Sequence, residues 1–194
     1  MGEQSNNELY SRGFNELRNG RVLDAVQIAR GLISNDWMNG WVLLGGCFET
    51  GSSDFPRDLL RAMDCYERAC HEVDTIEASL GVGRIGMQLG TPEAYRRAFS
   101  AYEDLVANGR NRIAVANLGR LKCSGKGTAQ DVASGRDLLL EATEAGLISA
   151  RRWLSGAYYF ERRYSCFAYH ALIYVGMRLF YSILDRYSPK LREY

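Results

Sequence analysis

The chain has 194 residues, 46% of them hydrophobic and 24% charged, enough to bury a continuous core and to keep a folded surface wet. Its 24 basic and 23 acidic side chains leave a formal charge of +1, so no global field draws in nucleic acid. Five scattered cysteines (Cys47, Cys65, Cys70, Cys123, Cys166) without a Cys-x-x-Cys pair fit reduced thiols rather than a disulfide framework, and with His71 and His170 the only imidazoles, neither a metal nor a cofactor is expected.

Along the chain, the opening Met1-Gly2-Glu3-Gln4-Ser5-Asn6-Asn7 is polar and acidic, without the basic start and apolar run of a secretory signal. Asn6 stands where myristoylation wants Ser or Thr, so a cytoplasmic start is expected. Leu9, Gly13, Leu17, Gly20, Ala25, Ala29 and Leu32 read as a first helical hairpin. Trp37 and Trp41 follow, four apart at the head of the next helix. Leu44-Gly45-x-x-Phe48-x-x-Gly51 leads to Ala62, Tyr66 and Ala69, and 36 residues on, Leu80-Gly81 leads to Gly90, Ala98, Tyr102 and Gly109. Thr91-Pro92-Glu93 combines a hydroxyl cap, a proline at the first helical position and an acid in the first turn, which predicts a helix from about Pro92 to Asn108. Leu118-Gly119 comes 38 residues after Leu80-Gly81, within the clearest unit. There Ala114 and Leu118 share a helix face, Gly125 and Gly127 supply the turn, and Asp131 caps a second helix whose Val132, Leu138, Leu139 and Ala142 pack back before Gly146 ends it. Ala150-x-x-x-Leu154-Ser155 repeats the head of that unit 36 residues later. A fixed period of this length means stacked helical hairpins.

The pattern from Ala114 to Tyr158 resembles the Sel1-like repeat, a relative of the tetratricopeptide repeat, and the first hairpin reads more like a plain tetratricopeptide unit. The resemblance covers about residues 8 to 160. It implies an all-α fold, a right-handed α-α superhelix of about ten antiparallel helices, with residues 161–194 forming a long capping or docking helix and basic tail in the same domain. It also implies a non-enzymatic scaffold or adaptor, most simply bacterial, that binds a protein partner through a concave face lined by the first helix of each hairpin.

Where the family places an aromatic after Leu-Gly, the four copies carry Phe48, Arg84, Lys122 and Tyr158. With Arg120 and Arg152 nearby and the Trp37–Trp41 pair, the resemblance implies a mildly basic face of Trp37, Trp41, Arg84, Arg120, Lys122, Arg152 and Tyr158. It would suit an acidic segment of a protein, or a phosphorylated or carbohydrate-linked ligand. The plain alternative is that the basic stems snorkel out of the groove and the tryptophans pack between repeats. On the first reading, exchanging Arg84 and Lys122 for Tyr holds stability steady and abolishes binding.

Gly81-x-Gly83-x-x-Gly86 has the dinucleotide-binding spelling but no preceding apolar strand, and Ser124-Gly125-Lys126-Gly127 lacks the hydroxyl that a phosphate loop needs after its lysine. No Gly-x-Ser-x-Gly elbow exists and neither histidine has a nucleophile and acid at readable spacing, so no catalytic residue is assigned.

After Tyr158 the repeat breaks into Tyr159-Phe160-Glu161-Arg162-Arg163 and an apolar run from Tyr164 to Tyr187 whose only ionisable side chains besides Cys and Tyr are His170, Arg178, Asp185 and Arg186. Three readings stay open: a packed capping helix, a helix that docks a partner or a membrane surface through Phe167, Leu172 and Phe180, and a span of 19 residues from Cys166 to Leu184. A span would bury Arg178 at about 2 kcal/mol or more. From Arg151 onward eight basic side chains, with Lys190 and Arg192 the last, stand against three acidic ones, which favours an anionic surface. The alternative function is therefore a membrane-associated accessory protein of bacterial envelope or exopolysaccharide biogenesis, cytoplasmic and peripheral at the inner membrane. The oligomeric state is left open.

Overall fold

The computed structural model describes residues 2–73, 75–109 and 111–184. Asp185, Arg186, Tyr187, Lys190, Arg192 and Glu193, which carry the expected basic tail, lie outside the described residues. Ten helices and no strand occur among those described: α1 (Gly2–Arg18), α2 (Val22–Ser34), α3 (Gly40–Thr50), α4 (Leu59–Val73), α5 (Ile76–Leu89), α6 (Pro92–Gly109), α7 (Arg112–Ser124), α8 (Val132–Glu144), α9 (Ile148–Phe160) and α10 (Tyr164–Leu184). The chain divides into two compact units, Met1–Ala101 and Tyr102–Tyr194, the division falling within α6.

In the first unit each helix packs on the next from α1 to α5, and the odd-numbered helices also touch, α1 with α3 and α3 with α5. One cluster there joins Val22, Ala25, Val26, Ala29 and Leu32 of α2 to Leu43, Leu44 and Cys47 of α3, and a second joins Ala62, Met63, Tyr66 and Ala69 of α4 to Ala78, Val82 and Ile85 of α5. The alanines let helix axes approach while Leu, Ile and Tyr fill the grooves. The glycines of successive Leu-Gly pairs have a specific task, because both lie against the ring of Tyr66. A Cβ on Gly45 would stand 3.0 Å from Tyr66 Cε1, and one on Gly81 would stand 2.5 Å from Tyr66 Cδ1. The notch holds a buried tyrosine that no other residue at Gly81 would admit without displacement.

In the second unit α7, α8, α9 and α10 pack in sequence, and α7 touches α9. Its core joins Val115, Ala116 and Cys123 of α7, Leu139 and Ala142 of α8, and Ala150, Leu154, Ala157 and Tyr158 of α9. Ala114 and Leu118 are buried, as their spacing predicts. The expected starts are present: the Ala94 N–H donates to Thr91 Oγ1 at 3.2 Å ahead of α6, and the Ser134 N–H donates to Asp131 Oδ1 at 3.0 Å ahead of α8. Gly125 ends α7 at φ +66°, where its left-handed backbone lets Lys126 N–H reach back to the Leu121 carbonyl.

Trp37 departs from its expected place on a helix. It lies in the α2–α3 connection, its N–H donating to the Leu32 carbonyl, because α2 stops at Ser34 and Asp36 turns the chain at φ 56°. Only Trp41 belongs to α3.

Candidate functional site

In the first unit Arg84, on α5, reaches back to α3. Its Nε donates to Glu49 Oε1 at 2.7 Å and its Nη2 to Glu49 Oε2 at 2.6 Å, a two-pronged pair, and Nη2 also donates to the Tyr66 hydroxyl at 3.1 Å. Gln88 Nε2 adds a 3.0 Å bond to Glu49 Oε1. Burial works to raise the Glu49 carboxyl, but the bonds and charge of Arg84, with those of Tyr66 and Gln88, outweigh it and hold the group below the ordinary glutamate value. Burial and the Glu49 charge push the Tyr66 hydroxyl well up, so it stays a neutral donor to the carboxylate. Arg84 therefore carries a structural partner, and the expectation that tyrosine in its place leaves stability unchanged does not fit: the exchange would take the charged, two-pronged partner from a carboxylate whose side chain is only 16% exposed, leaving it the neutral donors Tyr66 and Gln88.

The tryptophans of this unit are half-buried. Trp37 meets Tyr10 edge-on with ring centroids 5.0 Å apart, and both rings join the core cluster of α2 and α3. The Arg68 guanidinium lies 4.9 Å from the centre of the Trp41 ring.

The second unit brings Arg120 and Arg152 to one ring. The Arg120 guanidinium carbon is 3.8 Å from the centre of the Trp153 indole and that of Arg152 is 5.1 Å from it, so helices α7 and α9 place two cations on one aromatic. Arg152 is exposed, while Arg120 and Trp153 are half-buried. Two guanidiniums around one ring make a local positive field that a carboxylate or phosphate answers with two parallel hydrogen bonds. Lys122 lies elsewhere, lining an open cavity of about 480 Å³ with Glu103, Asp137 and Glu141, so its surroundings are more acidic than basic. Tyr158 is buried and stacks on His170 at 5.2 Å, with the Arg163 guanidinium 5.0 Å from its ring. It acts as a packing residue of the α9–α10 hairpin, and its neighbour His170 is held below the ordinary histidine value by burial and then by the Arg151 charge.

Two functional-looking residues escape the sequence reading. Trp153 has Asn117 as its counterpart one 36-residue period earlier, so repeat comparison gives no aromatic signal there. Glu49 reads as one of many surface carboxylates. The missing signal lies between neighbouring repeats: Glu49 and Arg84 are 35 residues apart, and Arg120 and Trp153 are 33 apart, both slightly short of one period, the offset that brings touching odd-numbered helices side by side.

On α10, Phe167 packs half-buried against the core with its ring 5.6 Å from Tyr159, whereas Leu172 is 72% and Phe180 57% exposed. No helix among the described residues is long and apolar enough to cross a membrane. No group of three or more His, Cys, Asp or Glu that could hold a metal occurs among them.

The chain is similar in structure to a protective antigen present in uropathogenic Escherichia coli strains and displaying an SLR fold, with a TM-score of 0.65 and 21% identity over 80% of this chain and 34% of that one. It is similar to a Sel1 repeat protein from Oxalobacter formigenes at a TM-score of 0.63 and 19% identity, covering 79% of this chain and 62% of the other. MamA of AMB-1 aligns at a TM-score of 0.60 and 18% identity over 96% and 94% of the two chains. The chain thus spans about a third of the length of the antigen, and 62% of that of the Oxalobacter protein. No protein-family model and no curated protein sequence matches it. The likenesses show the fold, a Sel1-like and tetratricopeptide-like helical repeat.

Proposed function

We propose that this chain, with its Sel1-like helical-repeat fold, is a non-enzymatic scaffold that binds an acidic segment of a protein partner on the first-helix face of its second unit. The observation that carries the reading is the convergence of Arg120 and Arg152 on Trp153. A repeat fold offers a preformed surface, the indole gathers the two guanidiniums around one ring, and Arg152 is exposed and so open to a carboxylate. Trp37, Trp41 and Arg84 serve the architecture of the first unit on this reading, and Lys122, sitting among carboxylates, lies outside the contact. Support for a scaffold comes from the fold of the structural neighbours.

The test uses a fluorescent hexaglutamate peptide and measures its anisotropy with the full chain at low and at physiological salt. Binding should weaken with salt, and Arg152→Gln combined with Arg120→Gln should weaken it by about 10-fold or more at low salt, the order expected for two charge-assisted contacts on a partly exposed site. Equal affinity of variant and native chain at both salts would remove this face from the reading.

A further inference from the structure

We infer that the outward face of α10 is a self-association surface on which a second copy of this chain packs its own α10 in antiparallel register. Helix α10 has 21 residues and its partner α9 only 13, so α10 outruns the helix that covers it. Its two faces are sorted cleanly. Cys166, Phe167, His170, Ile173, Tyr174, Met177 and Tyr181 are half-buried on the inward side. On the opposite side the exposed positions Ser165, Ala168, Leu172, Val175, Leu179 and Ser182 advance in alternating steps of three and four residues. That spacing is the seam of a two-helix coiled coil, whereas a merely solvated face would be polar. Instead Leu172, Val175 and Leu179 stand 72%, 51% and 57% exposed.

The order of side chains along the seam selects the occupant and its direction. About a two-fold axis between Ile173 and Tyr174, an antiparallel copy sets Leu172 against Val175, the small Ala168 against the large Leu179, and Ser165 against Ser182, so each leucine meets a narrower residue and the ends close on two small hydroxyls. On the flanks Tyr169 falls beside Gly176, and Arg178 beside Ala171, small residues that leave room for a ring and for a long stem. A parallel copy would stack Ala168 on Ala168 and leave a void, and would align the two helix dipoles unfavourably. Arg178 is the single charged side chain on the outward face among the described residues, and the two copies of it fall nine residues apart along the axis, about 13 Å at 1.5 Å per residue, beyond the screening length at physiological salt. Nothing on the seam repels a second copy. A single helix pair of this length buries less than about 1,200 Å² in total, the class of weak, reversible interfaces, so dissociation in the micromolar range is expected.

Sedimentation equilibrium of the 194-residue chain from about 1 to about 200 µM brackets that range and should show a monomer–dimer equilibrium. Leu172→Glu should weaken it at least 10-fold while leaving the helical circular dichroism and the melting temperature unchanged, since Leu172 touches solvent. Register is read by cysteine pairing under copper–phenanthroline oxidation in a chain carrying Cys70→Ser and Cys166→Ser, which removes the two native cysteines that are not buried: adding Ser165→Cys and Ser182→Cys together should give disulfide-linked dimers, and adding either alone should not. The two positions lie 17 residues apart on one helix, about 25 Å, too far to pair within a chain. A chain that stays monomeric across the range overturns the inference. Cross-linking by Ser165→Cys alone overturns the antiparallel register. Co-sedimentation of a monomeric chain with phosphatidylglycerol vesicles, lost in Leu172→Glu, also overturns it and gives the face to a membrane surface.

Discussion

Tyr66 shows how one side chain can fix a repeat. Its ring fills the notch between Gly45 and Gly81, and its hydroxyl donates to Glu49 at 3.0 Å while accepting from Arg84. The glycine in each Leu-Gly pair reads in the sequence as a mere punctuation of the period; the structure gives it the job of making room for an aromatic. Gly81→Ala should therefore cost about 1–3 kcal/mol in urea unfolding, since the added methyl stands 2.5 Å from the ring and the ring is buried on all sides. The Glu49–Arg84 pair makes a second prediction. A carboxyl whose folded value is depressed contributes stability that is complete above its ordinary value, near 4.5, and is lost as pH falls through the lower folded value. The stability gap between the native chain and Glu49→Gln, measured by urea unfolding from neutral to acidic pH, should accordingly shrink toward zero at the acid end. A gap independent of pH would mean that Arg84 contributes nothing through charge. The gap itself should be modest, about 1 kcal/mol, because Arg84 is 45% exposed and solvent screens it. The residues that a single sequence hides are of this kind: Glu49 and Trp153 acquire meaning only from a neighbour most of a period away.

Helices announce themselves better than contacts do. The start at Thr91-Pro92-Glu93, the Asp131 cap and the turn at Gly125 are each settled by local chemistry, and each stands where the sequence places it. Asp131→Ala should remove the bond to the Ser134 N–H and cost about 1 kcal/mol, read as a lower melting temperature with the same helical spectrum at room temperature. An unchanged melting temperature would mean that water caps α8 as well as the side chain does. What the sequence reading passes over is the α2–α3 connection: Asp is one of the few non-glycine residues that tolerates a left-handed backbone, and Asp36 adopts one as Trp37 N–H turns back to the Leu32 carbonyl. Helix α10 was legible as apolar but not as two-faced, because its inward and outward sides are both poor in charge and only the packing of α9 tells them apart.

At the scale of the chain, the 36-residue period identifies the architecture, and among the described residues ten helices in two compact units realise it. The boundary between the units, inside α6, is not one that the period marks. The near balance of charge conceals a split that the total of +1 cannot show: residues 102–194 hold 14 basic against 9 acidic side chains, and residues 1–101 hold 10 against 14. The Tyr66 notch has a consequence for how such a chain can change over generations. Because the ring on α4 is shared between Gly45 of its own hairpin and Gly81 of the following one, the three positions form a heritable set that straddles the hairpin boundary. Duplicating the α3–α4 hairpin whole would set a Leu-Gly glycine against each copy of the tyrosine, whereas deleting it would take Tyr66 away and leave a hole at Gly81. Gly45 and Gly81 stand a full period apart, so no single copied module holds both, and such a chain lengthens more readily than it shortens: a copied hairpin brings its own glycine, while a lost one leaves a notch unfilled.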